Sequence, residues 1–176
     1  MYLWVGCKLP DEFEKEIRIH CLKLNQAVGL STVAFELPQH ISLKISFETD
    51  CPDAILDKLE AFLASQTPFD VQVLNAEQSG HILWLTILEN ETLSCLHQKL
   101  DAQLETIFGI PQHEFDKCFK FHSTLFMDSD AGKVTQMCSA LKNYPFSRKL
   151  HIDTFLLGNS ETGAAGTYRV IRKINV

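Results

Sequence analysis

The spacing of apolar residues changes character along this chain, and the changes divide it into elements. Tyr2 to Cys7 reads as a strand; after Pro10 the apolar positions Phe13, Ile17, Cys21, Leu24 and Val28 recur at helical spacing. From Phe35 to Phe47 the pattern alternates. Ile41, Leu43, Ile45 and Phe47 fall on one side and His40, Ser42, Lys44 and Ser46 on the other, the period of a strand with one buried face. Thr49 or Asp50 then caps a predicted helix with Pro52 in its first turn and Ile55, Leu56, Leu59, Phe62 and Leu63 along its stripe. Two strands follow near 69 to 77 and 81 to 88, turned by Gln78, Ser79 and Gly80.

The second part of the chain repeats that order. A helix carries Leu93, Leu96, Leu100, Leu104 and Ile107 and ends at Gly109 and Pro111, and Cys118 to Met127 reads as a strand. A helix over about 130 to 144, with Val134, Met137, Cys138 and Leu141 inward, stops at Tyr144 and Pro145. Two strands close the chain, Leu150 to Leu157 and Thr167 to Val176, joined by the turn-rich GNSETGAAG. Each half, approximately 1–90 and 91–176, therefore runs helix, strand, helix, strand, strand, a repeat of pattern and not of letters. The expectation is one α+β domain over 1–176: a bilobal duplicated fold, two antiparallel-rich sheets flanked by helices around a central cleft.

Composition narrows the class. The chain has 176 residues and is 45% hydrophobic, enough for a sizeable core. Its longest apolar run, ILWLTIL at 82 to 88, is far too short to span a bilayer, and the N-terminus has no signal-peptide pattern. The six cysteines show no metal-finger spacing and read as reduced core residues, so a cytoplasmic protein without a membrane partner is expected. The net charge of -6 argues against duplex DNA as a partner. Residues 1 to 116 hold 7 Lys or Arg against 18 Asp or Glu, whereas residues 117 to 176 hold 9 against 4. The C-terminal excess either attracts a small anion or nucleic-acid end, or serves solubility alone.

The candidate chemistry lies in two tetrapeptides, HISL at 40 to 43 and HSTL at 122 to 125. With seven histidines, about one H-x-[ST] match arises by chance, so the pair gains meaning only from its equivalent placement in the two halves. Residues i and i+2 of a strand share a face, which sets His40 beside Ser42 and His122 beside Thr124. Two imidazoles divide the roles of base and acid near neutral pH, and two hydroxyls donate to phosphoryl oxygens. That kit suits attack on a phosphodiester and needs no metal or cofactor. No close histidine pair at ligand spacing, Gly-rich phosphate loop or G-x-S-x-G elbow is present.

Two H-x-[ST]-apolar motifs on strands, about 80 residues apart in a duplicated chain of this size, with the closing strand GTYRVIRKINV, resemble the 2H phosphoesterase superfamily, the LigT-like or 2'-5' RNA ligase-like group. The resemblance covers nearly the whole chain in element order. It implies that His40 and His122 are the catalytic pair and Ser42 and Thr124 the phosphate-binding hydroxyls. The substrate it implies is a small nucleotide or RNA terminus with a 2',3'-cyclic phosphate or a 2'-5' linkage. Many members have proline before the motif histidine, where this chain has Gln39 and Phe121. Lys44, continuing the polar face, is expected to lend positive charge to a phosphate. Phe126 is expected to line the cleft and Tyr168 to stack a base, while Trp84 reads as a core residue. Two other classes stay open: a non-catalytic module that binds a nucleotide or RNA end, and a plain interaction protein.

Overall fold

The computed structural model describes all 176 residues. Strand β1 (Tyr2–Lys8) leads into helix α1 (Asp11–Val28), a 3-10 turn (Val33–Phe35), and the short strands β2 (His40–Ser42) and β3 (Phe47–Glu48). Helix α2 (Pro52–Ala64) and the hairpin β4 (Phe69–Ser79) and β5 (Ile82–Ile87) follow. Then come α3 (Glu91–Phe108), a second 3-10 turn (Glu114–Cys118), β6 (His122–Met127), α4 (Ala131–Leu141), and β7 (Arg148–Ile152), β8 (Thr154–Ser160) and β9 (Arg169–Asn175). The class is α+β, as the periodicity predicts.

Local chemistry sets these boundaries. Asp11, Glu12 and Glu14 place negative charge on the first turn of α1, and Gly29 ends it in the left-handed conformation at φ 71°. Asn25 takes a place in the buried stripe of α1 beside Phe13, Ile17 and Cys21; its side chain bonds both the N–H and the C=O of Leu30 and closes the turn. Cys51, not Thr49 or Asp50, stands at the start of α2, and Thr49 Oγ1 instead accepts from the Cys51 N–H at 3.1 Å.

Two antiparallel sheets form, in the order β2-β1-β8-β9, with β3 also on β1, and β6-β5-β4-β7. Each sheet takes strands from both halves of the sequence, so the halves and the sheets are different divisions of the chain. The run expected as one strand over 150 to 157 breaks at Asp153, where the chain leaves one sheet for the other. A continuous core of leucine, isoleucine, valine and phenylalanine joins the two sheets through the helices. No helix is long and apolar enough to cross a membrane. Of the cysteines, only Cys7 and Cys21 are buried; Cys51, Cys95 and Cys118 are exposed, contrary to the core reading, and all six are free thiols.

The topology also explains the charge asymmetry. Arg148 and Lys149 of β7 pair with Glu16 of α1 and Asp70 of β4, and Arg172 of β9 with Asp57 and Glu60 of α2, so C-terminal cations meet N-terminal carboxylates on neighbouring helices and strands.

Candidate active site

Both motif strands are sheet edges. β2 ends one sheet and β6 ends the other, and the two edges meet, with the buried Ser123 Oγ donating to Gln39 Oε1 at 3.0 Å between them. His40 and His122 thereby border one cavity of about 250 Å³, together with Ser42, Trp4 and Tyr168.

The two histidines sit in equivalent surroundings. His40 Nδ1 donates to the carbonyl of Pro38 at 2.8 Å and His122 Nδ1 to that of Lys120 at 2.6 Å, in each case two residues back. A carbonyl only accepts, so Nδ1 carries the hydrogen and Nε2 is left free for chemistry. Each ring also lies against a tryptophan of the adjacent strand: Trp4 of β1 at 4.6 Å from His40, and Trp84 of β5 at 4.2 Å from His122, tilted by 34° and 32°. Trp84 is half-buried at the site, where the sequence reading puts it in the core. Two glycines make room for the first stack. A Cβ on Gly6 would stand 3.0 Å from His40 Cδ2, and one on Gly158 would stand 2.0 Å from Trp4 Nε1.

Burial pushes both imidazoles below the usual value of 6.5, against the opposing effect of the carbonyl bonds; for His40 the nearby His122 lowers it further. Both rings are therefore neutral in the free protein at neutral pH, and a bound anion is needed to favour a proton on either.

A second cavity of about 330 Å³ adjoins the first and shares His40, Leu37, Ser46 and Tyr168 with it. Thr124 borders this one, and Ser42 the other. The four motif side chains are thus divided between the cavities, with His40 bordering both. Tyr168 stands between the cavities, its hydroxyl donating to Ser46 Oγ at 2.9 Å.

Two expected site residues are turned from the cleft by irregularities in their strands, Phe126 entirely and Lys44 in its ammonium, although Lys44 still borders the 250 Å³ cavity. β1 pairs Gly6 with Ser42 but Leu3 with Phe47, so two extra residues bulge out between β2 and β3. The bulge turns Lys44 inward. It is 2% exposed, and its ammonium lies 2.6 Å from Asp101 Oδ1 and 2.8 Å from Asp116 Oδ2, an ion pair with two buried carboxylates instead of a free charge for phosphate. In β6, Trp84 opposes Thr124 and Leu83 opposes Phe126, so Leu125 is one residue too many. Phe126 therefore turns into the core, fully buried with Phe35 edge-on at 5.1 Å, and Met127 reaches the cavity in its place.

The buried charges around Lys44 are absent from the sequence reading. His97, Asp101 and Asp116 bring ligand-type atoms within 4.8 Å of one another, a spacing that suits a cation, and the Lys44 ammonium fills that role. His97 and Asp101 are four apart on α3 and legible in the sequence as a pair; Asp116 joins them only through the tertiary fold. The ring nitrogens of His97 lie 2.7 Å from the Leu43 carbonyl and 2.9 Å from that of Asp116, bracing the segments that lead out of β2 and into β6. Burial pushes the Asp116 carboxyl up, but the Lys44 ammonium and the N–H groups of His113 and Ile45 outweigh it and hold it below the ordinary value.

The model of the 2'-5' RNA ligase superfamily matches residues 9–164. The chain belongs to the 2'-5' RNA ligase superfamily. Solved structures share the superfamily fold over almost their whole length. TT0787 of Thermus thermophilus is 21% identical with a TM-score of 0.71, over 99% of this chain and 97% of that one. E. coli LigT complexed with 3'-AMP is 22% identical with a TM-score of 0.69, over 99% and 97%. Usb1 of Kluyveromyces marxianus is more distant, at 12% and 0.53, over 99% and 98%. No curated protein matches the sequence. Membership of this superfamily supports a phosphoesterase-type enzyme.

Proposed function

We propose that this protein is a metal-independent phosphoesterase acting on a 2',3'-cyclic phosphate or a 2'-5' linked nucleotide or RNA end, with His40 and His122 as base and acid. The observation that carries the reading is the matched presentation of the two imidazoles: each is pinned through Nδ1 to a carbonyl, stacked on a tryptophan, and left with a free Nε2 at one cavity. E. coli LigT has been crystallised with 3'-AMP and with phosphate, ligands of the kind this reading calls for.

A phosphate at the junction of the two cavities meets Ser42 and Thr124 as hydrogen-bond donors. One histidine takes a proton from water through Nε2 as the water oxygen bonds to phosphorus. The other, protonated at Nε2, gives its proton to the departing ribose oxygen as the P–O bond breaks, leaving a phosphomonoester and a free hydroxyl. Solvent exchange resets the two rings. In ligation a ribose hydroxyl takes the place of water: the same histidine accepts its proton as its oxygen bonds to phosphorus, and the other protonates the ribose oxygen that leaves as the cyclic phosphate opens. Because the free rings are both biased to neutrality by burial, the substrate's negative charge favours the imidazolium at the moment it is needed.

The test is turnover of ribonucleoside 2',3'-cyclic phosphates with EDTA present. Chelator-resistant hydrolysis that disappears in His40→Ala and His122→Ala is the expected result. Binding without turnover would replace the enzyme with a nucleotide-binding module.

A further inference from the structure

We propose that the larger cavity is a base-recognition subsite selective for guanine, read by Glu36 and Gln39; this rests on the phosphoesterase reading for the position of the phosphate. Phosphate at the junction near His40 directs the attached nucleoside into one of the adjoining cavities, and the 330 Å³ space falls within the size range of small-ligand sites. Its apolar walls, with Val33, Leu37 and Met127 among them, suit the faces of a flat heterocycle.

Two polar groups in that wall have no hydrogen-bond or ion-pair partner in the protein, the exposed carboxylate of Glu36 and the amide nitrogen of Gln39. Glu36 follows the 3-10 turn anchored in the core by Phe35, and its Oε2 lies 3.5 Å from where a Cβ on Gly166 would stand, across the cavity mouth. It takes part in none of the ion pairs. Gln39 is 1% exposed and lines the same cavity. Its amide oxygen is taken by the Ser123 hydroxyl, which leaves Nε2 as a donor with no protein partner. An amide nitrogen in a cavity wall is a ready donor to whatever acceptor enters there.

The pairing of an acceptor-only carboxylate with an amide donor discriminates among the bases. Guanine presents N1–H and N2–H side by side, which the two oxygens of Glu36 accept together, and its O6 is an acceptor for Gln39 Nε2. Adenine and cytosine set a ring-nitrogen acceptor beside their amino group, and uracil flanks its single N–H with two carbonyls. Each of those edges turns a lone pair toward the carboxylate. The negative charge of Glu36 also disfavours a second phosphate here, so the cavity suits a base and not another nucleotide phosphate.

The experiment measures kcat/KM on the four ribonucleoside 2',3'-cyclic phosphates and on the inosine analogue, which lacks the 2-amino group, and Kd by calorimetry for guanosine, inosine and adenosine 3'-monophosphates. Guanosine should lead adenosine by about 10- to 100-fold, with inosine between. In Glu36→Gln, which replaces one acceptor oxygen by a donor, the guanosine-to-adenosine ratio should fall toward one while the unfolding temperature stays put. Equal turnover of all four bases, with the ratio unmoved by Glu36→Gln, overturns the guanine site and leaves the phosphoesterase standing. Absence of turnover on every substrate removes the phosphoesterase, yet a calorimetric preference for guanosine 3'-monophosphate that Glu36→Gln abolishes still upholds the subsite.

Discussion

Replacing Lys44 by methionine separates the role its sequence position suggests from the one its surroundings assign. Alternation puts the ammonium on the cleft face, where its loss would raise KM and leave the fold alone. The structure buries it between Asp101 and Asp116, which are 7% and 0% exposed in their side chains. Removing one partner of such a pair strands buried carboxylates and costs about 3–5 kcal/mol, a large share of the roughly 5–15 kcal/mol that holds a domain together. For a chain of this size that corresponds to a fall in Tm of roughly 6–20 °C. The pH dependence carries a sign. In the wild type, Asp116 is held below the ordinary value, so its contribution is full above the unfolded value near ~3.9 and is lost as pH falls through the folded one. Without the ammonium, burial and mutual repulsion raise the stranded carboxyls, so the variant's deficit should grow as pH rises from about 4 toward neutrality. Thermal unfolding by circular dichroism between about pH 4 and 7.5, with KM measured on folded protein, gives both readings. An unchanged Tm with a raised KM would refute the argument and return Lys44 to the phosphate.

The remaining predictions concern the paired histidines. Either His→Ala variant should lose about 10²- to 10⁴-fold in rate, and the double variant should be little worse than the singles, as expected of a base and an acid serving one reaction; additive losses in the cycle would speak against a shared step. Since burial lowers both imidazoles from 6.5, the form of the free enzyme with one proton on the pair peaks on the acid side, so kcat/KM should be greatest below pH 6.5 and fall as pH rises further. An optimum above about pH 7.5 contradicts the neutral-pair argument. Gly6→Ala should lower kcat far more than it lowers Tm, because the new methyl stands 3.0 Å from His40 Cδ2 and 2.9 Å from the Ile41 carbonyl and displaces the ring; unaltered turnover with an unaltered His40 NMR signal would show that the strand simply yields.

Helices are the most legible elements because their signal is local. The buried stripe of α3, with Leu93, Leu96, Leu100 and Leu104, is what 3.6-residue periodicity predicts. Strand irregularities are not legible. Counting in twos from His40 and His122 assigns Lys44 and Phe126 to the cleft; a bulge turns Phe126 into the core, and another aims the Lys44 ammonium at buried carboxylates while the residue still borders the cavity. The irregularities come with distant partners: Asp101 and Asp116 for Lys44, Phe35 for Phe126, none within reach of a local pattern. Where no bulge intervenes, counting succeeds. Ser42 and Thr124 share the open side of their strands with the histidines, half-buried at the cavities. Trp4 and Trp84 are visible in the sequence only as apolar residues in strands, since stacking on a histidine depends on which strand lies next door.

The edge position of both motif strands has a chemical consequence that a central strand would not allow. In a sheet interior, backbone carbonyls on both sides are taken by neighbouring strands, and a histidine there must find some other group to fix its tautomer. β2 and β6 each have a partner on one side only, and the carbonyls of Pro38 and Lys120 lie just ahead of the paired residues. Those carbonyls are the acceptors that hold Nδ1–H of His40 and His122. The neighbouring strand, β1 or β5, then supplies the tryptophan against which the ring rests. Tautomer and ring orientation are thus set by the strand end and its single neighbour. The two edges need only be brought together, as Gln39 and Ser123 do, for two prepared imidazoles to share a cavity. A strand-edge motif present twice is for that reason sufficient to build a two-histidine site, even where the two parts of the sequence share little else.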